Sequence, residues 1–154
     1  MEEIKEFPDC FPHEIVDEIL LEGKNKEIEV YRICKKGKIN REAFMSSLEE
    51  AILKRGNPKL NLQNKKSNNS NNDKLKEYST SCSLTKEFLE VMLDTYMRKK
   101  EPQAIISKGV TSPDCGPSQI TYERTGEESP HVDWWIYKNT NPQLFFKEVE
   151  NDEN

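Results

Sequence analysis

The chain has 154 residues, of which 34% are apolar and 33% charged, with a formal charge of −5 and a mean hydropathy of −0.89. One ordinary domain fits this length, and so lean an apolar content supports a small core only if part of the polar content lies outside it. The acidic balance weighs against strong nucleic-acid binding, and the lack of an apolar run of about 18 residues argues against a membrane-spanning helix.

The start, MEEIKEFPDC, is acidic where a secretory leader is basic and then apolar. A soluble, cytoplasmic protein is expected, and the widely spaced Cys10, Cys34, Cys82 and Cys115 read as reduced thiols. In chain order, the first helix runs from Pro12 to Glu22, with Ile15, Val16, Ile19 and Leu20 on one face. A strand follows over Glu27 to Cys34. Asn40 caps a second helix that carries Phe44, Leu48 and Ile52 and stops at Gly56.

From about 58 to 76 the chain is dominated by Asn and Lys, which reads as a flexible surface insertion inside a single domain spanning 1–154. A strand at Tyr78 to Cys82 leads into a third helix, Leu84 to Arg98, whose stripe Leu84, Phe88, Met92 and Tyr96 marks it as the best buried. Strands are expected at Gln103 to Val110, Ser118 to Tyr122 and Pro130 to Lys138, with a compact loop at Thr111 to Pro117 that exposes Cys115. Asn141 and Pro142 open a short terminal helix, and 151–154 fray. The fold class is α+β, a small mixed sheet flanked by about four helices.

Three strands place polar groups where chemistry needs them. Arg32 shares a strand face with Ile28, Val30 and Cys34, so its guanidinium needs a protein carboxylate or a ligand phosphate. Ser79, Thr80 and Ser81 put hydroxyls on both faces of the next strand. His131, Asp133, Trp135 and Tyr137 share one face of a later strand, and Val132, Trp134 and Ile136 take the other as core. That row reads equally as a cleft or as a solvated face with its aromatics under the terminal helix. Cys10, His13, Cys115 and His131 lack the second close pair that a zinc site uses, so no metal is expected.

An Arg strand (Val30-Tyr31-Arg32), a Tyr78-Ser79-Thr80-Ser81 strand followed by a helix with Phe88, and a later acidic strand resemble the ADP-ribosyltransferase fold of the Arg / Ser-Thr-Ser / Glu-x-Glu type. The resemblance spans about residues 27–137. It implies a NAD cleft in which Arg32 holds the pyrophosphate or ribose hydroxyls, and Ser79, Thr80 and Ser81 line the nicotinamide side. Tyr78 or Trp135 would stack on the ring. His131-x-Asp133 stands in the place of Glu-x-Glu, with both residues different, and Asp133 would face the ribose as the catalytic carboxylate. The activity implied is ADP-ribosyl transfer or NAD cleavage through an oxocarbenium-like state. The alternative is a small non-catalytic α+β interaction protein, for which the acidic ends and Asn-rich insertion suffice.

Overall fold

The computed structural model describes residues 5–55 and 73–149. Six strands form one sheet in the order β4-β5-β2-β1-β3-β6. They are β1 (Glu29–Cys34), β2 (Thr80–Ser83), β3 (Ile105–Val110), β4 (Ser118–Ile120), β5 (His131–Trp134) and β6 (Phe146–Glu148). Four α-helices are described: α1 (His13–Glu22), α2 (Ser47–Arg55), α3 (Lys86–Met92) and α4 (Thr121–Thr125). The architecture is α+β, but the sheet is antiparallel throughout rather than mixed. Each neighbouring strand re-enters from the opposite end, so none of the crossovers that parallel pairs require is formed. Among the described residues, no helix is long and apolar enough to cross a membrane.

Local chemistry explains several element boundaries. Asn40 accepts from the Ala43 N–H, as its capping role predicts, but the turn it opens is a short 3-10 segment, Arg41–Phe44. The α-helix restarts at Ser47 behind a reciprocal capping pair: Ser46 N–H donates to Glu49 Oε1, and Glu49 N–H donates to Ser46 Oγ. The third helix begins at Lys86 with Thr85, not Ser83, accepting from the Phe88 N–H, and its last turn continues as a π-helical segment, Leu93–Met97. It is not the best-buried helix. Leu89 and Leu93 pack on Ile33 and Ala104, whereas Leu84, Phe88 and Tyr96 stay exposed. The neighbouring stripe fits the sheet, because a helix can lay only one arc of side chains against it.

The expected terminal helix is a 3-10 turn, Pro142–Phe145, followed by edge strand β6 on β3. A long-range pairing decides this: Phe146 lies opposite Gly109, where a Cβ would stand 2.5 Å from the Phe146 ring. Cys115 is buried rather than exposed, and burial raises its thiol pKa. Its loop lies along the continuation of β5, where Tyr137 N–H donates to Cys115 O and Trp135 N–H to Pro117 O. Gly116 adopts φ +148, and a Cβ there would meet Trp135 O at 2.0 Å. All four cysteines are free.

The register assigns each sheet face. Thr80 and Cys82 pair with Trp134 and Val132, and these join Val30, Cys34, Phe44 and Phe146 in one apolar core. The opposite face carries Ser81, Ser83, His131 and Asp133. There Trp135 packs with Phe11, Ile15, Ile19, Leu48, Leu75 and Tyr78, beneath α1 and a 3-10 turn at Leu75–Tyr78, not beneath the terminal segment. Most of the expected insertion lies outside the described residues. Leu75, near its downstream end, is buried, and its carbonyl accepts from Trp135 Nε1.

Candidate functional site

Strands β1 and β2 share only the pair Tyr31–Ser83, after which they diverge. Arg32 fills the gap between them. Its Nη1 donates to Ser81 O at 2.7 Å, while Nε and Nη2 donate to Ala43 O at 3.1 and 2.9 Å. The guanidinium carbon lies 6.0 Å from the Phe44 ring centroid, a cation–π arrangement. Both partners are neutral carbonyls, and among the described residues no carboxylate pairs with Arg32. A protein carboxylate, one of the two partners expected for it, is therefore not its neighbour, and its charge faces the space beyond the strands.

That space is a cavity of about 410 Å³, within the usual range for small-molecule sites. It brings together Arg32, Ser79, Ser81 and His131 from the expected site. Lys35 and Lys76 add positive charge and Glu50 a negative one, while Phe88, Met92 and Met97 form an apolar wall. Lys35 pairs with Glu50 at 3.2 Å. Lys76 and Arg32 have no carboxylate partner among the described residues, so the wall is cationic in a chain of net charge −5. A smaller recess of about 150 Å³ shares Arg32, Lys35 and Glu50 and adds Lys36 and Lys38.

The other expected residues lie elsewhere. Thr80 faces the apolar core, where its hydroxyl donates to Phe44 O at 2.6 Å. Tyr78 packs edge-on against Phe11, at 5.0 Å between centroids, and burial raises its pKa. Trp135 is fully buried, with Arg124 5.7 Å over its ring. None of these three lines the cavity; the aromatic side chain that does is Phe88, on α3.

Asp133 is also fully buried and does not line the cavity. Its Oδ1 accepts from Ser79 Oγ at 2.6 Å, and its Oδ2 accepts from Thr121 Oγ1 and Arg124 Nη2, both at 2.8 Å. Arg124 spans two carboxylates, donating also to both oxygens of Asp73 at 3.1 and 2.8 Å, and to Gln119 Oε1 at 2.6 Å. Burial lowers the Arg124 pKa, but Asp73 and Asp133 outweigh it, and the net shift is upward. The carboxylate thus reaches the cavity only through other side chains. One route is Ser79; the other is His131, whose Nδ1 lies 2.6 Å from Thr121 Oγ1 and 3.7 Å from Asp133 Oδ1 itself.

His131 lines the cavity and is itself mostly buried, which lowers its pKa; Asp133 opposes that shift, and Lys76 and Arg124 reinforce it. Its Nε2 is buried with no hydrogen-bond partner. Sequence reasoning missed Arg124 and Thr121. The signal for Arg124 was a lone cation among Glu123, Glu127 and Glu128, but its direction depended on the turn at Gly126. Among the described residues no group of three or more His, Cys, Asp or Glu side chains is arranged to hold a metal ion. Compared with family models, curated proteins and solved structures, the chain matches none.

Proposed function

We propose that the chain is an ADP-ribosyltransferase-like NAD-binding protein, with its ligand in the cavity between the diverging β1 and β2 strands and α3. The observation that carries this reading is the cationic wall. Arg32, oriented by two carbonyls and unneutralised, meets hydroxyls of Ser79 and Ser81 and the apolar side of α3 in one cavity. A guanidinium held in this way suits a pyrophosphate, and the adjoining recess adds Lys38, while its Lys35 and Lys36 are paired with Glu50 and Glu101. Phe88, Met92 and Met97 offer a surface for a flat ring.

Cleavage of the nicotinamide–ribose bond would build positive charge on the ribose. Asp133 is shared with Arg124 and enclosed, and Glu50 is paired with Lys35, so the geometry favours binding over turnover. Ser79 and His131 would carry Asp133's influence to the ligand as positioned hydrogen-bonding groups. A second reading, a non-catalytic interaction protein, draws on Leu20 and Leu21 of α1, which are 60% and 84% exposed.

Calorimetry with NAD tests the first reading, alongside an assay for free nicotinamide. Binding should weaken as salt rises, and Arg32→Lys should reduce affinity about tenfold, since a point charge replaces an oriented fork. Lys76→Ala, at an exposed position, should weaken binding without altering the melting temperature. No binding at millimolar NAD overturns the reading and leaves the interaction protein.

A further inference from the structure

Proton counting across the Asp133–Thr121–His131 chain settles which imidazole nitrogen is protonated. A carboxylate paired with Arg124 can only accept, so the single Thr121 hydroxyl proton points to Asp133 Oδ2 at 2.8 Å. The Thr121 oxygen then meets His131 Nδ1 at 2.6 Å with lone pairs alone, so Nδ1 must be the donor. The reverse assignment would set two acceptor oxygens against each other at 2.8 Å. A neutral ring with its proton on Nδ1 has a bare lone pair on Nε2, the nitrogen that is buried without a partner in a residue lining the cavity. A buried acceptor left this way carries a desolvation cost that a donor would recover.

We propose that His131 Nε2 is the cavity's hydrogen-bond acceptor for a ligand hydroxyl, its tautomer fixed by Asp133 through Thr121, so that the site takes a hydroxyl-bearing phosphate ester. The phosphate goes to Arg32 and the hydroxyl to His131. The ligand class rests on the anionic-ligand reading above, whereas the tautomer does not. Burial keeps the ring neutral near pH 7, against the pull of Asp133 and Asp73 and with the help of Lys76 and Arg124. Thr121 and Asp133 act as positioning residues.

Nitrogen NMR of the intact, ligand-free protein labelled at histidine reads the tautomer directly, with His13 as the internal comparison. His131 should be protonated at Nδ1 and bare at Nε2; the opposite tautomer, or a doubly protonated ring at neutral pH, overturns the proposal. Ribose phosphate should then bind and shift the Nε2 resonance, while inorganic pyrophosphate binds without shifting it. Failure of millimolar ribose phosphate to bind, or binding with Nε2 unmoved, also overturns it. His131→Phe should weaken ribose phosphate about fivefold to tenfold and leave pyrophosphate unchanged. Thr121→Val should release the tautomer preference in the same spectrum. If ribose phosphate engages Nε2 but NAD does not bind, only the NAD reading fails; if NAD binds with Nε2 unmoved, only this inference fails.

Discussion

The two faces of the sheet at β2 and β5 bury comparable side chains by different means. On one face, Trp134 packs against Phe44 and Phe146, and its Nε1 donates to Gly116 O at 3.0 Å. On the other, one residue earlier, Asp133 is as deeply buried as Trp134, but among Ser79, Thr121, Arg124 and, through Arg124, Asp73. The apolar face is stabilised by area removed from water and tolerates no loss of volume. The polar face holds a charge that is tolerable only while every partner is present. A network of that kind is a weak source of stability and a strong source of orientation, and it ends at His131, a residue of the cavity wall whose buried Nε2 has no hydrogen-bond partner.

The largest effects should come from the tryptophans. Trp134→Ala and Trp135→Ala should each cost roughly 3–5 kcal/mol in chemical denaturation, because each fully buried ring fills a separate core on its own side of the strand. A loss from Trp135→Ala much smaller than that from Trp134→Ala would break the comparison, since it would make the polar side permissive. Asp133→Ala should cost less, roughly 1–3 kcal/mol, because it removes the shared acceptor of Ser79 and Thr121 and one of the two carboxylates on Arg124, which keeps Asp73 and Gln119. Pairing it with Arg124→Met in a double-mutant cycle sharpens the point: the two losses should be far from additive.

Gly116→Ala should cost roughly 1–3 kcal/mol from backbone strain, with the clash against Trp135 O adding to it, and should raise the amide-exchange rate along β5. The smallest effect is a pH slope. His131 has its pKa lowered from the ordinary 6.5, chiefly by burial. The unfolded chain therefore takes up a proton before the folded one, so this group's contribution is fully present above about pH 6.5 and lost as pH falls through the folded value. The unfolding free energy should fall across that window with a slope of at most about 1.4 kcal/mol per pH unit from this group, and His131→Gln should flatten it. An unchanged slope in the variant would show that the imidazole is not the group held neutral.

Strand alternation was legible in the residues themselves. It set Arg32 beside Val30 and Cys34, put His131, Asp133 and Trp135 opposite Val132, Trp134 and Ile136, and marked both tryptophan faces, because side-chain direction in a strand depends only on position. The first helix was legible in its apolar spacing, but the helix expected from the cap at Asn40 opens as a short 3-10 turn and forms only from Ser47. What lies opposite each face was not. Asp133 read as a carboxylate facing a ribose, yet Ser79 and Arg124, 54 and 9 residues away along the chain, enclose it, and Asp73, 51 residues from Arg124, stands behind. The terminal helix became a strand because a glycine in β3 left room for Phe146. Periodicity tells which side of an element a residue occupies; only the packing of distant elements decides whether that side meets a cavity, a core or an opposite charge.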